Sequence, residues 1–225
     1  MKSVLLLVTS HDRLGSSDKK TGLWFEELAA PYLELSRADV RVDIASPLGG
    51  KPPIDPKSEA EPTDAVREFL ANPAAVAKLE HTLPLSAVKE TYDGYFVVGG
   101  HGVMWDLPKD QHAVALLAGA YEAGKVVAAV CHGPAALVNV RLPSTGKLLL
   151  EKHRVTGFSN SEERAVGLAS VVPFALQTSL SQRSRKYESG PDWQPFAIRD
   201  GQLVTGQNPA SSVLVAREVL AALGA

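Results

Sequence analysis

Short apolar runs separated by longer mixed stretches set the rhythm of this chain. Residues 4–8, the Phe96-Val97-Val98 run and residues 126–130 are too short for helices and almost wholly aliphatic. They read as strands buried on both faces. Residues 40–46, V-R-V-D-I-A-S, alternate and read as a further strand. Between these runs the periodicity turns helical. A helix is predicted from Thr21, its N-cap, carrying Leu23, Trp24, Glu27, Leu28 and Tyr32. Others are predicted over 64–71, 73–79, 111–122, from Pro173 to about Gln182, and over 211–223 with Asn208 as cap. Residues 148–151 and 153–159 read as extended, and 186–193 as loop. F-A-I-R-D-G-Q-L-V-T-G is a hairpin signal with Asp200-Gly201 as its tight turn. Strands alternating with helices define an α/β fold, a mostly parallel central sheet with helices on both faces. Prolines exclude regular structure from P-L-G-G-K-P-P-I-D-P-K-S. The stretch around 50–85 reads as a small peripheral insertion on one domain spanning 1–225.

The chemistry concentrates where residues 126–130 end. G-K-V-V-A-A-V-C-H-G-P-A-A-L, residues 124–137, carries the only cysteine, Cys131, at a sharp strand-to-helix turn. This is the layout of a nucleophile elbow with sulfur in place of a serine oxygen. A helix beginning at Pro134 would present free N–H groups that favour a thiolate. The competing reading is a structural thiol packed as a small hydrophobe. His132 places an imidazole in the same turn. Glu27 falls on the apolar face of its helix, so it either belongs to a site or marks a misread helix phase. Gly99 and Gly100 end the Phe96-Val97-Val98 strand and are candidates for oxyanion-binding amides. Met104 and Trp105 follow as pocket walls or ordinary packing residues. Glu162 and Glu163 follow the 153–159 segment. Either could hold a histidine as the third member of a triad, or serve as surface charges at a helix start.

Composition narrows the setting. The chain has 225 residues, a formal net charge of −2 and 45% hydrophobic residues, which gives no basis for a nucleic-acid surface. The opening apolar run of five is too short for a signal peptide or a membrane span. One cysteine allows no internal disulfide, and a cytoplasmic protein is expected. His11, His81, His112 and His153 have no partners at metal-ligand spacing. His101 reads as shaping the G-G-H-G loop, so neither a metal nor another cofactor is expected.

Several motifs together resemble one family. T-G-L-W-F-E-E-L-A-A-P-Y at 21–32, G-G-H-G-V-M-W-D-L-P at 99–108, A-A-V-C-H-G-P-A at 128–135 and V-T-G-F-S-N-S-E-E at 155–163 carry it. P-D-W-Q-P-F and D-G-Q-L-V-T-G-Q-N-P-A-S-S, within 191–212, complete it. They resemble the ThiJ/PfpI superfamily, on the class I glutamine amidotransferase-like fold. Within it the chain is most similar to the heat-shock-chaperone-like, glutathione-independent glyoxalases (glyoxalase III). The resemblance implies Cys131 as nucleophile, His132 beside it, Glu27 in contact with the thiol, and Glu163 orienting the histidine, with Glu162 as the alternative if the register shifts. It implies the amides of Gly100 and His132 as the oxyanion site; Gly99 and Trp105 stand beside them as substrate-binding candidates from the residue pattern alone. It also implies a small dicarbonyl substrate, methylglyoxal or glyoxal, converted to D-lactate or glycolate, and a homodimer. Glu27 and His132 are both candidate proton carriers. Competing readings are a stress holdase, a cysteine peptidase or amidase, and a redox sensor.

Overall fold

The computed structural model describes all 225 residues. Nine strands and eight α-helices appear in chain order: β1 (Ser3–Leu7), α1 (Phe25–Arg37), β2 (Arg41–Ser46), α2 (Pro56–Ala60), α3 (Asp64–Leu70), α4 (Pro73–Glu80), β3 (Leu83–Pro84), β4 (Gly94–Val97), α5 (Gln111–Glu122), β5 (Val126–Val130), β6 (Arg154–Val155), α6 (Asn160–Ala165), α7 (Leu176–Arg183), β7 (Lys186–Tyr187), β8 (Ala197–Asp200), β9 (Leu203–Gly206) and α8 (Ser212–Leu223). Seven strands form one sheet in the order β3-β2-β1-β4-β5-β9-β8. All its pairs are parallel except β8 with β9. That exception is the hairpin closed at Asp200-Gly201, because a tight turn can join only antiparallel strands. β1, β4 and β5 are buried along their whole length, which is why they read as unbroken apolar runs. One cluster of 55 buried residues runs through the molecule. Residues 50–85 supply edge strand β3, and α3 packs on α1, which also packs on α8.

Several boundaries differ from the sequence reading, each for a tertiary reason. The first helix begins at Phe25 rather than at Thr21. Trp24 occupies the N-cap without a side-chain cap, and the Phe25 N–H donates instead to Ser58 Oγ at 3.1 Å. Thr21 is held in extended chain, its hydroxyl donating to Asp55 Oδ2 at 2.8 Å. The cap thus comes from α2, far along the chain, where local capping rules do not look. Leu149–Lys152 forms a 3₁₀ turn rather than a strand, with Leu149 and Leu150 both buried. Residues 186–187, read as loop, form β7 and pair with β6 in a separate two-stranded sheet. The helix expected from Pro173 starts at Leu176. Asn208 does not cap α8: a 3₁₀ turn over Pro209–Ser211 intervenes, and the Asn208 amide donates to Glu162 Oε1 at 2.8 Å.

Candidate active site

β1, β4, β5 and β9 deliver their C-terminal ends to one edge of the sheet, where sites form in open parallel sheets. Cys131 follows directly after β5. Its N–H donates to the Gly206 carbonyl at 3.0 Å and its carbonyl accepts from Phe158 N at 2.8 Å. These two bonds hold Cys131 at φ 59°, in the left-handed region. That conformation is uncommon for a residue with a Cβ and is maintained only where the surroundings over-determine it. The chain then turns into a 3₁₀ segment, Gly133–Leu137, rather than an α-helix.

The structure brings four of the sequence-derived residues into one chain. Cys131 Sγ lies 3.3 Å from His132 Nδ1, and His132 Nε2 lies 2.7 Å from Glu163 Oε2. On the other side, the carboxyl of Glu27 approaches the thiol and the Gly99 N–H, but neither Glu27 oxygen has a hydrogen-bond partner of good geometry. Glu27 can stand there because Gly99 has no side chain: a Cβ on Gly99 would overlap Glu27 Oε2. Gly100, at φ 99°, leaves no room for a Cβ against the Gly22 carbonyl and the Trp24 N–H. Its own N–H and that of His132 donate to no backbone carbonyl, and the His132 N–H is directed at the Cys131 sulfur. Trp105 is not brought into this group. Its indole stacks on His11, centroids 5.2 Å apart.

The adjacent glutamates on α6 take different work. Glu162 closes a capping box with Ser159, its Oε2 accepting from Ser159 N at 3.0 Å. Its Oε1 accepts from Trp193 N and Asn208 Nδ2 at 2.9 and 2.8 Å. Glu163 alone reaches the histidines. The sequence reading missed the second imidazole: His101 Nε2 lies 2.8 Å from Glu163 Oε1, and its ring centroid is 4.0 Å from that of His132. The G-G-H-G motif was the available signal, since a histidine at a strand C-terminus shares the edge occupied by Cys131. Phe158 backs the pair, 4.4 Å from the His132 ring, and Trp193 meets Phe158 edge-on.

Burial and hydrogen bonding set the charges. Burial pushes the Glu27 carboxyl well above its ordinary range, with only weaker opposition from the thiol and Gly99, so the protonated acid is favoured. Burial likewise opposes ionisation of Glu163, but the hydrogen bonds from His101 and His132 outweigh it and bring its pKa to about 2. Burial and repulsion from His101 lower His132 to about 4 despite Glu163, leaving a neutral imidazole beside the thiol. Cys131 is pushed up, first by burial and then by Glu27. This reverses the expectation of a lowered thiol pKa. The thiol is only 3% exposed, and a five-residue 3₁₀ turn offers a weaker dipole than an α-helix.

His101, His132 and Glu163 are also the one group with donor atoms at metal-ligating separations, all within 4.8 Å of one another. Both imidazoles already bind the two carboxylate oxygens, so an ion would have to displace both bonds. A cleft of about 460 Å³ opens against His101, with Trp24, Lys19, Lys20 and Lys57 on its walls.

A cysteine at a strained strand-to-turn junction, an imidazole–carboxylate pair behind it and a buried acid before it form an arrangement compatible with an α/β enzyme that uses a thiol. The chain belongs to the DJ-1/PfpI family, whose model matches residues 24–222. Among curated relatives, it is 31% identical to Glyoxalase 3 of Candida albicans, over 99% of this chain and 98% of the relative. It is 30% identical to the glutathione-independent glyoxalase HSP31 of Saccharomyces cerevisiae, over 94% and 93%. Among solved structures, glyoxalase III from Candida albicans superposes with a TM-score of 0.91 at 29% identity, covering 98% and 97% of the two chains. The Rapid Encystment Protein 24 kDa of Francisella tularensis superposes with a TM-score of 0.95 at 39% identity, covering 99% of each.

Proposed function

We infer that this chain is a glutathione-independent glyoxalase, an enzyme that converts methylglyoxal or glyoxal to the 2-hydroxy acid in dicarbonyl detoxification. The observation that carries the reading is Glu27: a carboxyl held protonated by burial against a thiol, with a neutral imidazole on the thiol's other side. A thiol flanked by two proton carriers suits a reaction that adds to an aldehyde and then moves hydrogen between two carbons.

The steps follow from those states. As the Cys131 sulfur attacks the aldehyde carbon, His132 takes the thiol proton and Glu27 gives its own to the carbonyl oxygen, forming the hemithioacetal. The N–H groups of Gly100 and His132, which donate to no backbone carbonyl, are the candidates to steady charge on that oxygen. Glu27 is now a carboxylate with raised proton affinity, suited to remove the proton from the former aldehyde carbon. His132 protonates the neighbouring oxygen, giving an enediol. Glu27 returns the proton to the adjacent carbon while His132 takes the remaining hydroxyl proton, leaving a thioester on Cys131. Water cleaves it, releasing D-lactate from methylglyoxal, or glycolate from glyoxal, and restoring the thiol. General acid–base groups of this kind contribute ~10²–10⁴-fold. Glu163 keeps His132 oriented. A homodimer and a cytoplasmic setting extend the same reading; no helix is long and apolar enough to cross a membrane.

The test is purified protein with methylglyoxal and no thiol cofactor, following loss of the dicarbonyl and formation of one lactate enantiomer. An inert protein overturns the reading. The Cys131–His132–Glu163 chain also favours a second reading, an amidase or peptidase, because it is a hydrolytic triad in outline. Such an enzyme does not need Glu27, so hydrolysis that survives Glu27→Gln, without dicarbonyl turnover, would select it.

A further inference from the structure

The cleft against His101 carries an unbalanced charge. Of its three lysines, Lys20 is paired with Asp12. The one acid on its walls, Asp55, is buried, with its oxygens already taken by the Thr21 hydroxyl and the Lys57 N–H. Lys19 and Lys57 have no carboxylate partner for their ammonium groups, as is also true of Lys2, Lys89, Lys109 and Lys152 away from the cleft; what distinguishes the pair is that both line one cleft. Lys57 also borders a neighbouring cavity that holds Glu26 and Glu61, yet pairs with neither; Glu26 takes the Thr63 hydroxyl.

The two free cations stand on anchored backbone. Lys57 occupies the first turn of α2, fixed by the Asp55 cap. The Lys19 carbonyl accepts from Leu14 N at 2.9 Å, and the next residue bridges to Arg13. Between them, Trp24 donates its N–H to the Gly99 carbonyl, which ties the cleft wall to the loop beside the thiol. Ammonium groups on the wall of a partly apolar cleft raise the local concentration of anions there.

We propose that this cleft is a subsite for an anionic group on the substrate, so that the protein favours α-oxoaldehydes carrying a carboxylate or a phosphate over neutral ones. The proposal rests on the glyoxalase reading and adds the substrate class. The reaction balances as R–CO–CHO + H₂O → R–CH(OH)–COO⁻ + H⁺, with the charge on R untouched and no oxidant required.

The test compares methylglyoxal with three probes. They are the dioxopentanoate bearing a vicinal ketoaldehyde and a terminal carboxylate, its neutral methyl ester, and hydroxypyruvaldehyde phosphate. kcat/KM should be higher for one or both anionic probes than for the ester, and whichever leads identifies the anion. In Lys19→Gln/Lys57→Gln the ratio of anionic-probe to methylglyoxal kcat/KM should fall about tenfold, as the loss of two exposed ion pairs allows. An ester as good as its acid, or an unchanged ratio in the double variant, overturns the subsite. If methylglyoxal and every probe are inert, the glyoxalase reading fails by itself. The subsite is then decided by calorimetric titration with the oxopentanoate that lacks the aldehyde. Binding that the double variant loses supports the subsite, and equal binding by both proteins overturns it.

Discussion

Glu27 and Glu163 stand at the two ends of the chain that runs through Cys131 and His132. They are the same residue type and nearly equally shut from water, at 0% and 5% exposure, but burial has opposite outcomes for them. Glu27 meets no aligned donor and keeps its proton; Glu163 meets two imidazoles and loses it at about pH 2. Removal from water costs either carboxylate the same kind of energy, and the partners decide which pays it back in hydrogen bonds. Pairs of acids driven apart in this way mark divided acid and base roles.

The widest test of that division removes the atom between the two acids. Cys131→Ser should reduce dicarbonyl turnover to background, since a serine hydroxyl at its own pKa is a far weaker nucleophile. The melting temperature should stay close to wild type because the swap is nearly isosteric. Turnover in that variant would break the comparison at its centre.

Glu27 comes next. Glu27→Gln should lower kcat by ~10²–10⁴ while iodoacetamide still alkylates Cys131. In the wild-type protein the alkylation profile should rise in two coupled steps, and in Glu27→Gln in one. A single step in both would mean that Glu27 and the thiol do not sense each other. Glu27→Leu should lose turnover but gain about 1–3 kcal/mol of stability, because it removes an unpartnered buried polar group. A destabilised Glu27→Leu would argue that the carboxyl has a partner after all.

At the other end the comparison sharpens between neighbours. Glu163→Gln should cut kcat by about tenfold or more, equivalent to ~1.4 kcal/mol of barrier, with alkylation retained. Glu162→Gln should cost about 1 kcal/mol of stability through its cap and its two donors and leave kcat nearly unchanged. The reverse pattern would assign the orienting role to Glu162.

The last test is the response of stability to pH. His132 titrates near 4 in the folded protein, against an ordinary value of 6.5, so the unfolded chain binds its proton first as pH falls. Stability is complete above about 6.5 and declines toward 4. Glu163 has the same sign at lower pH: its contribution is present above 4.5 and is lost as pH falls toward about 2. Thermal melts from pH 7 to 4 should show the first decline, and His132→Gln should flatten it.

What the sequence disclosed follows the range of the interactions involved. β1, β4 and β5 were legible because strands buried on both faces need unbroken apolar runs, and the Asp200-Gly201 turn because its backbone demands those residues. Cys131 and His132 were legible from a local motif, and Glu27 from a carboxylate on an apolar helix face. The start of α1 was not legible, because Ser58 caps it from another element. Nor was the division between Glu162 and Glu163, which depends on where Asn208 and Trp193 return. His101 escaped for the same reason: its partner lies 62 residues away. The thiol's raised pKa reflects burial depth and a 3₁₀ turn, neither of which is written in A-V-C-H-G-P.

The bare Cα at Gly99 has a use beyond this molecule. The position of the buried acid depends on a hydrogen where other residues carry a carbon, because a single methyl there would occupy the space of Glu27 Oε2. An elbow cysteine followed by histidine therefore says little about whether a chain keeps the acid. The residue just before the left-handed glycine of the neighbouring loop says more. Among unlabelled sequences with the same turn, a glycine there leaves the carboxyl's seat open, and an alanine fills it. Two letters, one at each end of that contact, can separate chains equipped to shift a carbon-bound hydrogen from chains that carry only the sulfur.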